Sequence, residues 1–313
     1  MTRKALLERL AGLRRGVASG GKRAPHKPLL LLWLFGRFAT TGSSAATYAQ
    51  AEDPVSRLIN DFGPPVASAS AARQRAALPF VHLERELWDL QDDTGNAIGP
   101  DAPERRAWLI EHGALGRLRP EVEQLLADPG TLAAAARLLL DQHFTPALAT
   151  LICDAVNLDL AGLEAAAAPG PAPAAEPRPG KTRRAGFAEE VLRAYAYRCA
   201  MCGFDGALGR NPVGIEAAHV RWHSQDGPDE VANGLALCAL HHVLLDLGVL
   251  GLSPGRRIRV SGLFVTRSDA GHAVNALAGR ELLAIGPGQP DIGHAHIEWH
   301  NRQVFKTGPT EAT

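Results

Sequence analysis

The chain has 313 residues, enough for two domains that each bury their own core. Its 33 lysines and arginines balance its 33 aspartates and glutamates, which excludes a uniformly basic protein that coats nucleic acid by charge alone. The longest apolar run, Leu29 to Phe35, is far below the roughly 20 residues that span a bilayer, so no membrane partner is expected.

The N-terminal "MTRKALLERLAGLRRG" is basic and amphipathic, without the apolar block and cleavage site of a secretory signal, and a cytoplasmic protein is expected. Residues 1–40 set nine lysines and arginines against Glu8 alone, a local patch able to meet phosphate while the whole chain stays neutral. "HKPLLLLWLFGRF" predicts a helix with Pro28 near its start. "ALPFVHLERELWDL" alternates in part and predicts a strand in a small sheet. "GTLAAAARLLLDQHF" and "PALATLICDAVNLDL" predict two further helices, divided at Thr145–Pro146.

"LEAAAAPGPAPAAEPRPGKTRR", Leu163 to Arg184, has no apolar period and predicts a semi-stiff linker. The expected organisation is α+β: an α-rich domain over 1–163, a linker over 164–184, and a second domain over 185–313. In that second domain "GFAEEVLRAYAYRCAMCG" predicts a helix running into a Cys-x-x-Cys turn. "GIEAAHV" predicts a strand, "SQDGPDEVANG" a loop, "LCALHHVLLDLG" a helix stopped by Gly248, and "RRIRVSGLF" a strand.

Four cysteines make a poor disulfide framework at this length, and three of them sit at metal-ligand spacing. Cys199-x-x-Cys202 and Cys238-x-x-His241 are two pairs, each able to offer both ligands to one ion from a tight turn. Cys₃His is an accepted closed set for structural zinc. His241 is thereby structural, which leaves His219, His223 and His242 in the same stretch.

"EAAHVRWHSQDGPDEVANGLALCALHH", with the "LDLG" that follows, resembles the HNH nucleases, with His219, Asn233 and His242 at the three positions that name the motif. The resemblance extends from about Arg184 to the C-terminus and implies a ββα-metal fold with a zinc knuckle. It implies His219 as general base, His242 as ligand to a divalent ion such as magnesium or manganese, and Asn233 as the residue holding the loop. Asp246, four residues after His242 and on the same helix face, is then the expected second ligand. Many members carry an acidic residue or a histidine directly before the base, where this chain has Ala218. Glu216 is the nearest carboxylate, and His223 is expected to be an exposed loop histidine.

"KRAPHKPLLLLWLFGRF", "ALPFVHLERELWDL" and "LLLDQHFTPALATLI" resemble the sulfur-binding domain of modification-dependent restriction enzymes. That resemblance implies double-stranded phosphorothioate DNA as partner, in which sulfur replaces a non-bridging phosphate oxygen. Sulfur is less strongly hydrated than oxygen, so an apolar cup can prefer it, while an arginine holds the charge. Carried over, Lys22 and Arg23 supply charge and Leu78, Pro79 and His82 form the wall. The family more often has tyrosine where this chain has Leu78, and a smaller residue near His82. Pro79–Phe80 has ordinary core packing as its alternative, and His26 is expected to cap a helix or sit in the core. The function expected is a restriction endonuclease that finds phosphorothioate DNA and cuts nearby. Three alternatives stay open: a nuclease reading another modification, one reading an ordinary sequence, or a zinc ββα DNA-binding protein that does not cut. A homodimer is equally left open.

Overall fold

The computed structural model describes residues 1–13, 25–66, 68–167, 184 and 186–307. The chain divides into two compact units, residues 1–180 and 181–313. Lys22, Arg23 and most of the proposed linker lie outside the described residues.

In the first unit the helices are α1 (Arg3–Ala11), α2 (His26–Thr41), α3 (Tyr48–Phe62), α4 (Ala69–Arg73) and α5 (Ala77–His82). They continue with α6 (Arg106–Glu111), α7 (Pro120–Leu126), α8 (Pro129–His143), α9 (Pro146–Ala155) and α10 (Leu160–Ala167). Three short strands, β1 (Ala46–Thr47), β2 (Trp88–Gln91) and β3 (Leu115–Leu118), form one antiparallel sheet in the order β1-β3-β2. The apolar block of α2 forms the centre, with Leu29, Leu30, Leu31, Leu32, Leu34 and Phe35 all fully buried. The helix starts two residues before Pro28 and ends at Gly42, whose φ of 75° suits a left-handed cap. A Cβ at Gly36 would stand 1.8 Å from the Val156 carbonyl oxygen, so α2 meets the end of α9 at backbone distance.

"ALPFVHLERELWDL" corrects the expectation of a single strand. Its first half is helix α5 and only Trp88–Gln91 is strand. Pro79 sits in the first turn of α5, where its missing N–H costs no helical hydrogen bond. Phe80 is fully buried in edge-to-face contact with Tyr48 and Trp88, and Trp88 Nε1 donates to the Phe80 carbonyl at 3.0 Å. Helix and strand thus share one aromatic cluster, which the mixed pattern of the segment obscures.

A buried polar network fixes the start of the sheet. Glu123 Oε1 accepts from the Ser44 N–H at 2.8 Å and from its hydroxyl at 2.7 Å, and Oε2 accepts from Arg117 Nε at 2.9 Å. The same Ser44 hydroxyl accepts from the Leu118 N–H at 2.8 Å. Burial raises the Glu123 carboxyl's pKa, but the bonds from Arg117 and Ser44 outweigh it and hold it below the ordinary range.

The second unit contains α11 (Phe187–Ala194), α12 (Ala239–Asp246), α13 (Asp269–Asn275) and α14 (His294–Gln303). Its strands are three hairpin pairs: β4 (Ala207–Leu208) with β5 (Asn211–Pro212), β6 (Ile215–His219) with β7 (Gly234–Cys238), and β8 (Leu250–Leu252) with β9 (Ile258–Val260). The pair β6–β7, followed directly by α12, is the ββα unit, in the register Glu216↔Leu237, Ala218↔Leu235 and His219↔Gly234. A core of Val191, Ala218, Val220, Leu235, Leu237 and Leu245 lies among β6, β7, α11 and α12. Gly234 is required by close approach, since a Cβ there would fall 2.3 Å from Val191 Cγ2. Among the described residues no single helix is long and apolar enough to cross a membrane.

Candidate metal centre and nuclease site

The turn after α11 carries Cys199 and Cys202. The Cys199 N–H donates to the Phe204 carbonyl and the Gly203 N–H back to the Cys199 carbonyl, both at 2.8 Å, so the loop curls on itself. The Ala200 N–H donates to the Ala236 carbonyl at 2.8 Å, which pins that loop beside β7, where Cys238 ends the strand and His241 lies in the first turn of α12. The four ligand atoms lie within 4.8 Å of one another, and this is the only such cluster among the described residues. His241 Nδ1 is 3.4 Å from Cys199 Sγ and 3.3 Å from Cys238 Sγ. Tetrahedral zinc with ordinary bond lengths sets such S···N pairs about 3.6 Å apart, so the cluster has the size to close on one ion.

The electrostatics of the cluster favour the same reading. Burial raises the Cys199 thiol, yet the His241 ring and nearby backbone N–H groups bring it down to about 6. Burial, against a nearby Phe204 N–H and with Cys199 adjacent, pushes Cys202 up to about 12, and Cys238 is also raised. Three thiols this close cannot all ionise without a cation among them.

His241 and His242 are consecutive on α12 and point to different partners. The buried His241 faces the cysteines. His242 Nδ1 donates to Glu216 Oε2 on β6 at 2.6 Å, and its Nε2 lies 3.6 Å from Asp246 Oδ2 one turn later. Asp246 is itself buried. The arrangement leaves the His242 Nε2 edge and the Asp246 carboxylate side by side, with Glu216 fixing the ring from behind.

His219 ends β6 on the side facing α11. Its ring stacks on Phe187 at 4.2 Å between centroids and 20° between planes. Its Nε2 is 2.7 Å from Asp229 Oδ1; a carboxylate only accepts here, so that nitrogen carries the proton. Asn233 is fully buried and stitches the intervening loop: its Oδ1 accepts from the Arg221 N–H at 2.8 Å. Its Nδ2 donates to the carbonyls of Arg221 at 2.9 Å and Pro228 at 3.0 Å. The loop that carries Asp229 is thereby tied to the residues just after His219.

Asp229 is the residue that sequence reasoning did not single out. The loop offers Asp226, Asp229 and Glu230, and nothing in their spacing says which one turns inward. His223, expected to be an exposed loop histidine, is half-buried with its Nε2 3.7 Å from Asp229 Oδ2.

In the first unit Leu78 and His82 sit four residues apart on α5, on one helical face. Leu78 is exposed, while Pro79 is buried. His82 Nε2 is 2.5 Å from Glu104 Oε1. His26, in the first turn of α2, has its Nε2 3.4 Å from Nη2 of the buried Arg75. Lys27 pairs with Glu84 at 2.7 Å.

No curated protein matches the chain. Among solved structures it is similar to the sulfur-binding domain of SprMcrA complexed with phosphorothioated DNA, at 22% identity over 50% of this chain and 95% of that one, with a TM-score of 0.40. The sulfur-binding domain of ScoMcrA complexed with phosphorothioated DNA matches at 21% identity over 50% and 96%, with a TM-score of 0.38. The type IV phosphorothioation-dependent restriction endonuclease ScoMcrA matches at 20% identity over 67% of this chain and 34% of that one, with a TM-score of 0.37. Residues 199–253 match the HNH endonuclease family, the segment that holds the Cys₃His cluster, His219, Asn233 and His242. Residues 3–161, half of the chain, match the ScoMcrA-like DNA sulfur-binding domain; the chain belongs to that family and joins its sulfur-binding domain to an HNH endonuclease domain.

Proposed function

We propose that this protein is a modification-dependent restriction endonuclease: the first unit selects phosphorothioate DNA, and the second hydrolyses phosphodiester bonds nearby. The observation that carries the reading is the pairing of a DNA sulfur-binding domain at 3–161 with an HNH endonuclease domain at 199–253 in one chain.

In this reading the Cys199, Cys202, Cys238 and His241 cluster holds structural zinc. His242 Nε2 and Asp246 would hold a magnesium or manganese ion, a hard cation to which a carboxylate ligand is suited. When bound, the ion supplies positive charge to the phosphate and to the departing oxygen. Glu216 orients His242 by accepting its Nδ1 proton and so acts from behind the ligand. His219, with its proton held at Nε2, presents Nδ1 as the base that takes a proton from water. Asn233 keeps the loop closed around it. In the first unit, Arg23 with Lys22 supplies charge to the phosphorothioate, while Leu78, Pro79 and His82 supply the wall.

The test compares two duplexes that differ by one sulfur atom, with the full chain, in cleavage and in mobility-shift assays. Cutting of the sulfur duplex alone, lost in a chelator and restored by magnesium or manganese, is the expected outcome. Arg23→Ala should weaken sulfur-dependent binding by about tenfold or more, since the partly desolvated charge loses its partner. Equal binding and cutting of both duplexes would overturn the reading of the first unit.

A further inference from the structure

We infer that Asp229 is a positioning residue for His219: its carboxylate fixes the ring's tautomer and raises its basicity. The inference rests on His219 being the base in the nuclease reading above.

The geometry is a buried dyad. The side chains of His219 and Asp229 are 7% and 9% exposed and meet at 2.7 Å. One face of the imidazole is covered by Phe187, so the ring has little freedom to turn about that bond. The second carboxylate oxygen, Oδ2, accepts from the Arg184 N–H at 2.5 Å, and Arg184 Nε donates to the Asp229 carbonyl at 3.1 Å. Asp229 is therefore clamped from two sides and aims a fixed negative charge at Nε2. Burial raises its pKa, but the Arg184 N–H, the His219 ring and the nearby His223 outweigh that and keep it an anion.

A carboxylate bound to Nε2–H selects the tautomer in which Nδ1 is unprotonated, and it stabilises the imidazolium formed once Nδ1 has taken a proton. Three other charged groups near the dyad have partners of their own. From α11, Glu190 is held by the Arg184 guanidinium and Glu189 by Arg193. Glu230, next in the loop, faces His296 at 3.3 Å. Among the described residues His223 also lies beside Asp229, and its ring centroid is 5.7 Å from that of His219. When protonated it partly neutralises Asp229 and weakens the effect.

The experiment uses the full-length, metal-loaded protein and a phosphorothioate duplex. Asp229→Asn keeps the shape but removes the charge. Cleavage should fall by about 10²–10⁴-fold, with zinc content and DNA affinity unchanged. The carboxylate raises the His219 pKa, and activity needs the neutral ring, so activity climbs as pH rises through that value. Without the carboxylate, the acid limb should move to lower pH by about one unit or more. An unmoved limb overturns the inference, whether the rate is retained or lost, because a merely structural carboxylate would leave the limb in place. His219→Ala runs alongside: retained cleavage there would sink the base assignment itself rather than the role of Asp229. Should Asp229→Asn fail to fold, imidazole nitrogen NMR on the unmodified protein decides, with the His219 signal identified by its loss in His219→Gln. A neutral Nε2–H tautomer supports the inference, and Nδ1–H overturns it.

Discussion

Glu123 in the first unit and the Cys199–Cys202–Cys238–His241 cluster in the second are both buried polar groupings, but their charge is balanced differently. Around Glu123 the chain supplies every donor itself: the Ser44 N–H and hydroxyl and the Arg117 guanidinium. Around the three thiols it supplies one imidazole and backbone N–H groups but no cationic side chain within the cluster, which leaves room for a metal ion to balance them. The apolar surroundings differ in the same sense. The first unit centres on the buried apolar block of α2, whereas the second, in its described residues, joins three short strand pairs to brief helices. A unit built the first way owes its stability to its own side chains; in the zinc reading, one built the second way would share it with an ion.

Stripping the metal should break this comparison most visibly. Structural zinc in such small sites is worth roughly 10–16 kcal/mol at neutral pH, so chelation or Cys199→Ser should unfold the second unit. Hydrogen exchange read by mass spectrometry should lose protection across 187–305 while the amides of α2 and α8 keep theirs. Elemental analysis should return one zinc per untreated chain, and its absence from active protein would refute the cluster's assignment.

His219→Ala probes chemistry without touching the support. Cleavage should drop by about 10²–10⁴-fold while zinc content and affinity for phosphorothioate duplex stay as they were. Near-normal cutting by a folded variant would remove His219 from the reaction.

Gly36→Ala attacks the first unit where α2 meets the backbone at Val156. The added methyl has nowhere to go, and the cost should be about 1–3 kcal/mol, seen as a lower urea midpoint for the first unit only. A variant as stable as the parent would mean that the contact yields freely.

The smallest effect concerns acid. The folded-state pKa of Glu123 is depressed, so its contribution is full above the unfolded carboxylate value and is lost as pH falls through the folded value. Glu123→Gln should therefore lower stability at pH 7, by about 1–3 kcal/mol. It should also flatten the loss of stability as pH falls below the ordinary glutamate range. A parallel acid profile in parent and variant would show that other carboxylates carry the dependence.

The sequence showed helices best where an apolar block is long and its stop is a glycine, as in α2. Metal-ligand spacing was equally legible, because two Cys/His pairs at that separation have few other uses, and all four ligand atoms do converge. The segment from Ala77 to Gln91 was opaque because Phe80 and Trp88 belong to one cluster, so helix and strand show one apolar pattern. Strand β7 was hidden in "GLALC", which is apolar on both faces because α11 and α12 both pack near it, so no alternation marks it. Asp229 was invisible for another reason. Which of three loop carboxylates turns inward depends on the bonds that Asn233 makes across the loop, and those exist only once the chain has folded.

The bond from the Arg184 N–H to Asp229 also governs how this nuclease can be dissected. A fragment begun at residue 186 would keep every residue of the ββα unit and all four cysteine and histidine ligands, yet Asp229 would lose both of its Arg184 contacts and keep only its bond to His219. If Asp229 positions His219 as inferred, such a fragment should fold, bind zinc and still cut slowly, because the carboxylate facing His219 is held less firmly. Begun a few residues upstream of Arg184, the same fragment would retain the clamp. The inference therefore puts the practical edge of the catalytic unit inside what composition alone marks as spacer, and a truncation series stepping across Arg184 should find it as a jump in turnover rather than in melting temperature.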